Sequence, residues 1–389
     1  MPEGQTLAGS EARALWPLPA GLTYLNHGGY GLTPKAVLRV QSRLKAEMER
    51  DPARFVDEPI LEPRLFAARE AAAEALGARV DDLVFVENAT TGVNAVLQSM
   101  ALPAGAEILI LDHTYPAVRN AIRHKLASVG GRLVELALPW PIASDDEIVA
   151  AVERSLTPRT ALAVFDVIAS HTATVFPVER LTALTRAHNV PVLIDAAHAP
   201  GQVPFNLPAL GADWVTGNLH KWYFAPRGCA VLWARSETQD ELHPTVVSHG
   251  YGSGIAAEFN WTGTRDLTAW LSAPAGIAFH NGLGGRALME RNRGLAAEAA
   301  LMLVDAWQTE IAGLPEQRAA MASIRVPKAP AELGRLLHDR LLDKHRIQVP
   351  FFTIKGTLWL RISAQAYNQM PDYERLAEAV LEEIEALVA

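Results

Sequence analysis

Cysteine is nearly missing from this chain: one residue, Cys229, in 389. A disulfide framework within the chain and a cysteine-rich zinc site are therefore excluded. A single thiol and the lack of a leader fit the cytoplasm. Basic residues are outnumbered, 35 Lys+Arg against 43 Asp+Glu, for a net charge of −8. That balance disfavours nonspecific binding to DNA, RNA or an acidic membrane and leaves room only for a local basic pocket. The opening MPEGQTLAGSEARALWPLPAG has no basic stretch followed by an apolar one, so it does not read as a signal peptide. No apolar run reaches the ~18 residues that a membrane helix needs. The nearest, AWLSAPAGIAF (269–279), contains Pro and Gly and reads as a buried helix. Repeats, low-complexity tracts and long charge runs are missing as well. There is no H-E-x-x-H, and HDRLLDKH (338–345) spaces its histidines at i,i+7 on an amphipathic helix, so no metal site is expected.

What is present reads as an α/β enzyme. With 49% hydrophobic and 20% charged residues the chain is globular rather than disordered, and its length suits about two or three domains. Apolar runs stand at LVFVE (83–87), EILIL (107–111), RLVEL (132–136), TALAVFD (160–166), VPVLID (190–195), DWVTG (213–217) and GCAVLW (228–233), with helical patterns such as DDEIVAAVERSL (145–156) and PVERLTALTRAH (177–188) between several of them. Continuous apolar strands separated by amphipathic helices indicate a mostly parallel sheet covered on both faces. After about residue 285 the pattern changes. A long Ala-rich helix (285–307) precedes strand-like ASIRVP (322–327), a helix near 330–344, strand-like RIQVPFF (346–352) and TLWLRIS (357–363), and a closing helix (372–387). These elements make a small α+β domain, with the boundary near 280 in the Gly-rich FHNGLGGR.

The chemistry concentrates in 190–233. A buried strand ends in Asp195, where ligands gather in open α/β sheets. One strand later GNLHKW presents Lys221, flanked by His220, Trp222, Tyr223 and Phe224. A lysine and an aspartate in this relation suit pyridoxal phosphate. The amine forms a Schiff base with the aldehyde, and the carboxylate keeps the pyridine nitrogen protonated, so that the ring accepts electrons from a carbanion. Taken singly, Asp195 reads as a strand-end turn residue and Lys221 as a solvated lysine; the combination favours the cofactor. Thr90, Thr91 and Gly92 open a helix after a strand, where free N–H groups bind phosphate, although such residues also cap helices without any ligand. His113 and Tyr115 follow another strand, placing an aromatic where it can stack on a pyridine ring. His198, three residues beyond Asp195, is close enough to reach the cofactor's phenolic oxygen.

YLNHGGYG (24–31), ENATTGVN (87–94), LIDAAHAPGQ (193–202), GNLHKW (217–222), NWTGTRD (260–266) and LRISAQAYN (360–368) together make the chain resemble the class V aminotransferase branch of fold-type I pyridoxal phosphate enzymes. Within that branch it resembles the isopenicillin N epimerase-like group, related to cysteine desulfurases and C–S lyases, over roughly residues 20–370. The resemblance implies a large domain (25–280) with a seven-stranded sheet, a small C-terminal domain (281–389), and an N-terminal segment (1–24) packing on the latter. It implies Lys221, Asp195 and His198 as the catalytic group. Lys221 would carry the Schiff base and shuttle the α-proton, Asp195 hold the ring nitrogen, and His198 the phenolic oxygen. Thr90, Thr91, Asn218 and His220 would hold the phosphate, with Thr264 reaching across a homodimer to the neighbouring site. Tyr115 would stack on the ring and Ser170 lie near the cofactor oxygen. Arg361 would anchor the substrate carboxylate through its planar fork. Asn26 and His27 would line the substrate entrance, and Arg265 would meet a second carboxylate or stay structural. Relatives carry a histidine where this chain has Val167, and His171 is the residue placed to compensate.

An amino acid joined to this cofactor loses its α-proton readily, and several outcomes compete. Epimerisation needs an acid or base on each face; Lys221 serves one, and His27, Tyr30, Tyr115 or His113 the other. β-Elimination needs only Lys221 and a leaving group, and transamination returns the proton to the cofactor. Persulfide transfer needs a cysteine in the small domain, and none follows Cys229, which reads as a small core residue. A non-catalytic binding module on the same fold is the alternative from a different class.

Overall fold

The computed structural model describes residues 8–140, 142 and 144–388. Residues 1–7, part of the segment expected to pack on the small domain, lie outside the described residues. The strands are β1 (Thr23–Tyr24), β2 (Leu83–Val86), β3 (Glu107–Leu111), β4 (Arg132–Leu136), β5 (Thr160–Asp166), β6 (Val192–Asp195), β7 (Trp214–Asn218), β8 (Ala230–Ala234), β9 (Met321–Arg325), β10 (Ile347–Gln348), β11 (Phe351–Ile354) and β12 (Thr357–Ser363).

Seven of them form one sheet in the order β2-β8-β7-β6-β5-β3-β4. Five neighbours, β7 through β4, run parallel, while β8 is antiparallel to both β7 and β2. The continuous apolar runs follow from the two covered faces. Phe85, Leu109, Phe165, Ile194 and Val215 enter one core, and their neighbours Val84, Ile108, Val164 and Leu193 enter the other. Helices Ala89–Ser99, Pro116–Ala127, Asp145–Ser155 and Val178–Ala187 fill the crossovers, the third opened by a Ser144–Glu147 capping box. Because β8 turns straight back beside β7, residues 219–229 form a loop at the carboxyl end of β7, and Lys221 lies on that loop. Asp166, Asp195 and Asn218 end β5, β6 and β7 beside it.

A second, antiparallel sheet, β11-β12-β9, packs with helices Arg286–Trp307, Gly334–Asp343 and Met370–Val388 around its own core. RIQVPFF, expected as one strand, is two. β10 pairs in parallel with β1, and β11 pairs with β12. The break falls at Pro350, which has no N–H to give; its carbonyl accepts Arg361 N at 3.1 Å. AWLSAPAGIAF is likewise two buried pieces, Thr268–Leu271 and Ala273–Gly282. No helix among the described residues is long and apolar enough to cross a membrane. Residues 8–24 touch both sheets' surroundings: Gly9 N bonds Ala366 O at 2.8 Å, and Trp16 meets Phe224, Phe279 and Tyr367 edge to face.

Candidate active site

A cavity of about 440 Å³ opens at the carboxyl ends of β5, β6 and β7. Lys221, Asp195, His198, Asn218, His220, Thr90, Tyr115 and Ser170 all line it, so segments far apart in the chain close around one volume. Tyr30 and Gly29 line it as well.

Lys221 Nζ lies 3.2 Å from His198 Nε2. Burial, with Arg361 adding repulsion and Asp195 opposing, lowers the amine from its ordinary range to about 7. At neutral pH a large share of Lys221 is thus an uncharged nucleophile. Burial also drives His198 well below the usual histidine range, which keeps it neutral, and its Nδ1 has no hydrogen-bond partner. Asp195 accepts Ala197 N at 2.9 Å; burial raises its pKa, and that backbone bond and Lys221 pull the other way. His220 gives both its N–H and its Nδ1 to Cys229 O, each at 3.0 Å, and burial lowers it to about 4.

The phosphate-side residues are tied to one another. Asn88 caps helix Ala89–Ser99 by accepting Thr91 N at 2.9 Å, and Asn218 Oδ1 accepts Ala89 N at 2.9 Å. Thr91, expected on the phosphate, turns its hydroxyl to Asn88 Oδ1 at 3.3 Å and does not line the cavity; Asn88 does. The cap takes Thr91 because its N–H and hydroxyl both face one carboxamide. Gly92 lets this helix approach β7, since a Cβ there would stand 2.2 Å from Thr216 Oγ1.

His27 does not line the entrance. It is fully buried behind the lysine loop, with Nδ1 at 2.8 Å from Tyr367 Oη and Nε2 at 3.1 Å from Lys221 O. Burial lowers it to about 3, so it stays neutral. Gly31, at φ +66°, makes this approach feasible: a Cβ there would sit 2.1 Å from His220 O. His113 also lies elsewhere, bonded to Thr172 Oγ1 at 3.2 Å and stacked on Trp140. His171 stacks on Phe352 at 4.4 Å and lines a separate hollow with His113 and Lys355.

Arg361 is 2% exposed and stands directly behind Ser170. Nη1 donates to the Ser170 carbonyl and lies 3.3 Å from its hydroxyl; Nη2 donates to Asn26 Oδ1 at 3.3 Å. Burial lowers Arg361 only to about 10, so the fork remains cationic. Arg265 pairs with Glu87 and lies 3.9 Å over the Trp270 ring, which makes its partner within the chain a structural one. Thr264 is exposed and lies outside its own chain's cavity. Asp166 was not singled out from sequence, yet it lines the cavity beside Asp195.

Residues 33–375 match the model of the family described as aminotransferase class-V. The chain belongs to that family. It is 33% identical to a probable chloroplastic L-cysteine desulfhydrase of Arabidopsis thaliana, over 92% of this chain and 82% of the relative. It is 35% identical to isopenicillin N epimerase of Amycolatopsis lactamdurans, over 96% and 98%. Among solved structures it resembles a C-DES mutant with glycine covalently linked to the PLP cofactor, at a TM-score of 0.81 and 19% identity over 95% and 98% of the two chains. The fold is fold-type I, and the class V cofactor is pyridoxal phosphate. The cavity fits it: a lysine whose amine burial lowers to about 7, an acid at the carboxyl end of the sheet, and two buried polar atoms, His198 Nδ1 and Asp166 Oδ2, without hydrogen-bond partners.

Proposed function

We propose that this class V enzyme acts at the α-carbon of an amino acid and cleaves a β-carbon–sulfur bond, as a cysteine-type C–S lyase. Lys221 Nζ, buried, lowered to about 7 and 3.2 Å from His198 Nε2, supports action at the α-carbon, and the absence of His27 and His113 from the cavity lining carries the choice of elimination. Pyridoxal phosphate, when bound, supplies an electron sink that makes the α-proton acidic. Lys221 Nζ, the amine that would hold the cofactor, would also be placed to take that proton. Asp195 would hold the ring nitrogen, His198 the phenolic oxygen, and Thr90, Asn218, His220 and the Asn88-capped helix end the phosphate. Arg361, which stands behind Ser170 and Asn26, would orient the α-carboxylate. β-Elimination asks for no second base. His27 and His113 lie outside the cavity, which favours elimination over epimerisation. Epimerisation is the second reading, kept by Tyr30 and Tyr115, which line the cavity, and by the likeness to isopenicillin N epimerase.

Persulfide transfer would need a reactive thiol. Cys229, the single thiol, is buried and its pKa is pushed up by burial, which suits a core residue rather than a nucleophile. We further propose a cytoplasmic homodimer, with Thr264 reaching the neighbouring phosphate, and domains spanning 25–280 and 281–389. A screen of amino acids in deuterated buffer tests the reaction. Pyruvate with sulfide from cysteine supports lysis. Solvent deuterium at the α-carbon of recovered amino acid supports epimerisation, and a keto acid with an aminated cofactor supports transamination. A protein that binds pyridoxal phosphate but leaves every amino acid unchanged would point to a binding module.

A further inference from the structure

The cavity holds one acid more than these roles use. Asp166 ends β5 and Asp195 ends β6, and they are register partners across neighbouring parallel strands. Residues paired in this way point to the same face, and both line the same cavity. Asp166 is 4% exposed, and its Oδ2 has no hydrogen-bond partner. Facing it from the turn after β3 are Tyr115 N–H and the Thr114 hydroxyl, the latter without an aligned hydrogen bond. The cation that acts on it, Arg119 on helix Pro116–Ala127, is engaged with Glu135 at 2.8 Å and with Asp112 O at 3.1 Å. Lys221 acts on Asp195.

We propose that Asp166 is a positioning residue for the cofactor ring, acting through Asp195 and through the turn that presents Tyr115. The inference rests on the placing of Lys221 and Asp195 proposed above. Accepting the Tyr115 N–H that faces Asp166 would tie the turn to the carboxyl end of β5. The carboxyl also puts a second acid beside Asp195, and two adjoining buried carboxyls do not both ionise without a cation. A protonated ring nitrogen next to Asp195 is such a cation, so the pair selects a ring that carries the proton. Without that cation the pair retains a proton instead: burial, then Asp195, push Asp166 well above the usual carboxylate range.

Two measurements test this. An acid whose pKa is raised on folding contributes stability below its unfolded value, about 4, and loses it as pH climbs through the folded value. Asp166→Asn removes that loss. In the cofactor-free protein its melting temperature relative to wild type should rise by about 4 °C between pH 5 and pH 8. A difference that does not change with pH overturns the proposal. Asn also keeps an oxygen for Tyr115 N–H, whereas Ala does not. Titration with pyridoxal phosphate, followed by absorbance, should show Asp166→Ala binding about tenfold more weakly than Asp166→Asn. Equal affinities would likewise overturn it. Wild-type protein that takes up no pyridoxal phosphate would count against the function proposed above and leave the melting comparison standing.

Discussion

Glu107 and Asp166 are two buried acids in one sheet, on neighbouring strands, at opposite ends. Glu107, at the amino end of β3, receives Arg132 at 2.8 Å, Arg159 at 2.6 Å and Thr157 Oγ1 at 2.7 Å, and these partners hold it down at about 2. Asp166, at the carboxyl end of β5, has an oxygen with no partner and a carboxylate neighbour, and it is pushed up. Glu383 in the small domain resembles Glu107: Arg340, Lys344 and His345 surround it within 3.1 Å. Arg340 and Lys344 thus already neutralise the buried acid of the cluster His345, Glu382 and Glu383. Structural acids here are finished by cations of the chain itself. The acids at the carboxyl end of the sheet are left for something else to finish.

The largest break in this contrast should come from Lys221→Ala. It should abolish the Schiff-base absorbance band and lower turnover by about ten-thousand-fold, read in a product assay with added cofactor. Asp195→Asn should lower kcat by about a hundredfold or more while cofactor uptake persists, because the ring nitrogen loses its counter-charge. Arg361→Lys should raise KM by about tenfold with a smaller change in kcat, since an ammonium cannot reproduce the fork.

Two smaller effects sharpen the comparison. In the cofactor-free protein, labelling of Lys221 by an amine reagent, followed by mass spectrometry, should reach half its maximum near pH 7, against about 10.4 for an ordinary lysine. Glu107→Gln should cost about 1 kcal/mol at pH 7, discounted because Arg132 and Arg159 are 63% and 67% exposed. A depressed carboxylate contributes stability above its unfolded value, about 4.3, and loses it as pH falls through about 2. The cost should therefore fade on acidification, with cofactor affinity unchanged throughout. A Glu107→Gln protein that binds pyridoxal phosphate poorly would show that the two ends of the sheet are not separable.

Much of this site was legible because cofactor chemistry demands particular residue types at strand ends. VLID ending in Asp195, and the aromatic-flanked Lys221, carry that signature locally. Asp166 carries it too, at the end of TALAVFD, so the rule that finds Asp195 also finds it once applied to every strand. Asn88 was legible in principle as an N-cap three residues before Thr91. His27 and His113 were not. Each stands in a segment that the site uses, but side-chain direction depends on contacts far away in sequence, Tyr367 for one and Thr172 and Trp140 for the other. RIQVPFF misled as one strand because pairing partners are tertiary, and Pro350 alone hints at the division.

By itself the sequence determined the α/β architecture, the family and its cofactor, since apolar periodicity and strand-end motifs are local records of burial and chemistry. Only the tertiary structure decided which histidines face the cavity, that Arg361 waits behind Ser170 and Asn26, and that Asp166 and Asp195 meet side by side. Those facts depend on register between strands and on desolvation, and both arise only when distant segments close around the same space.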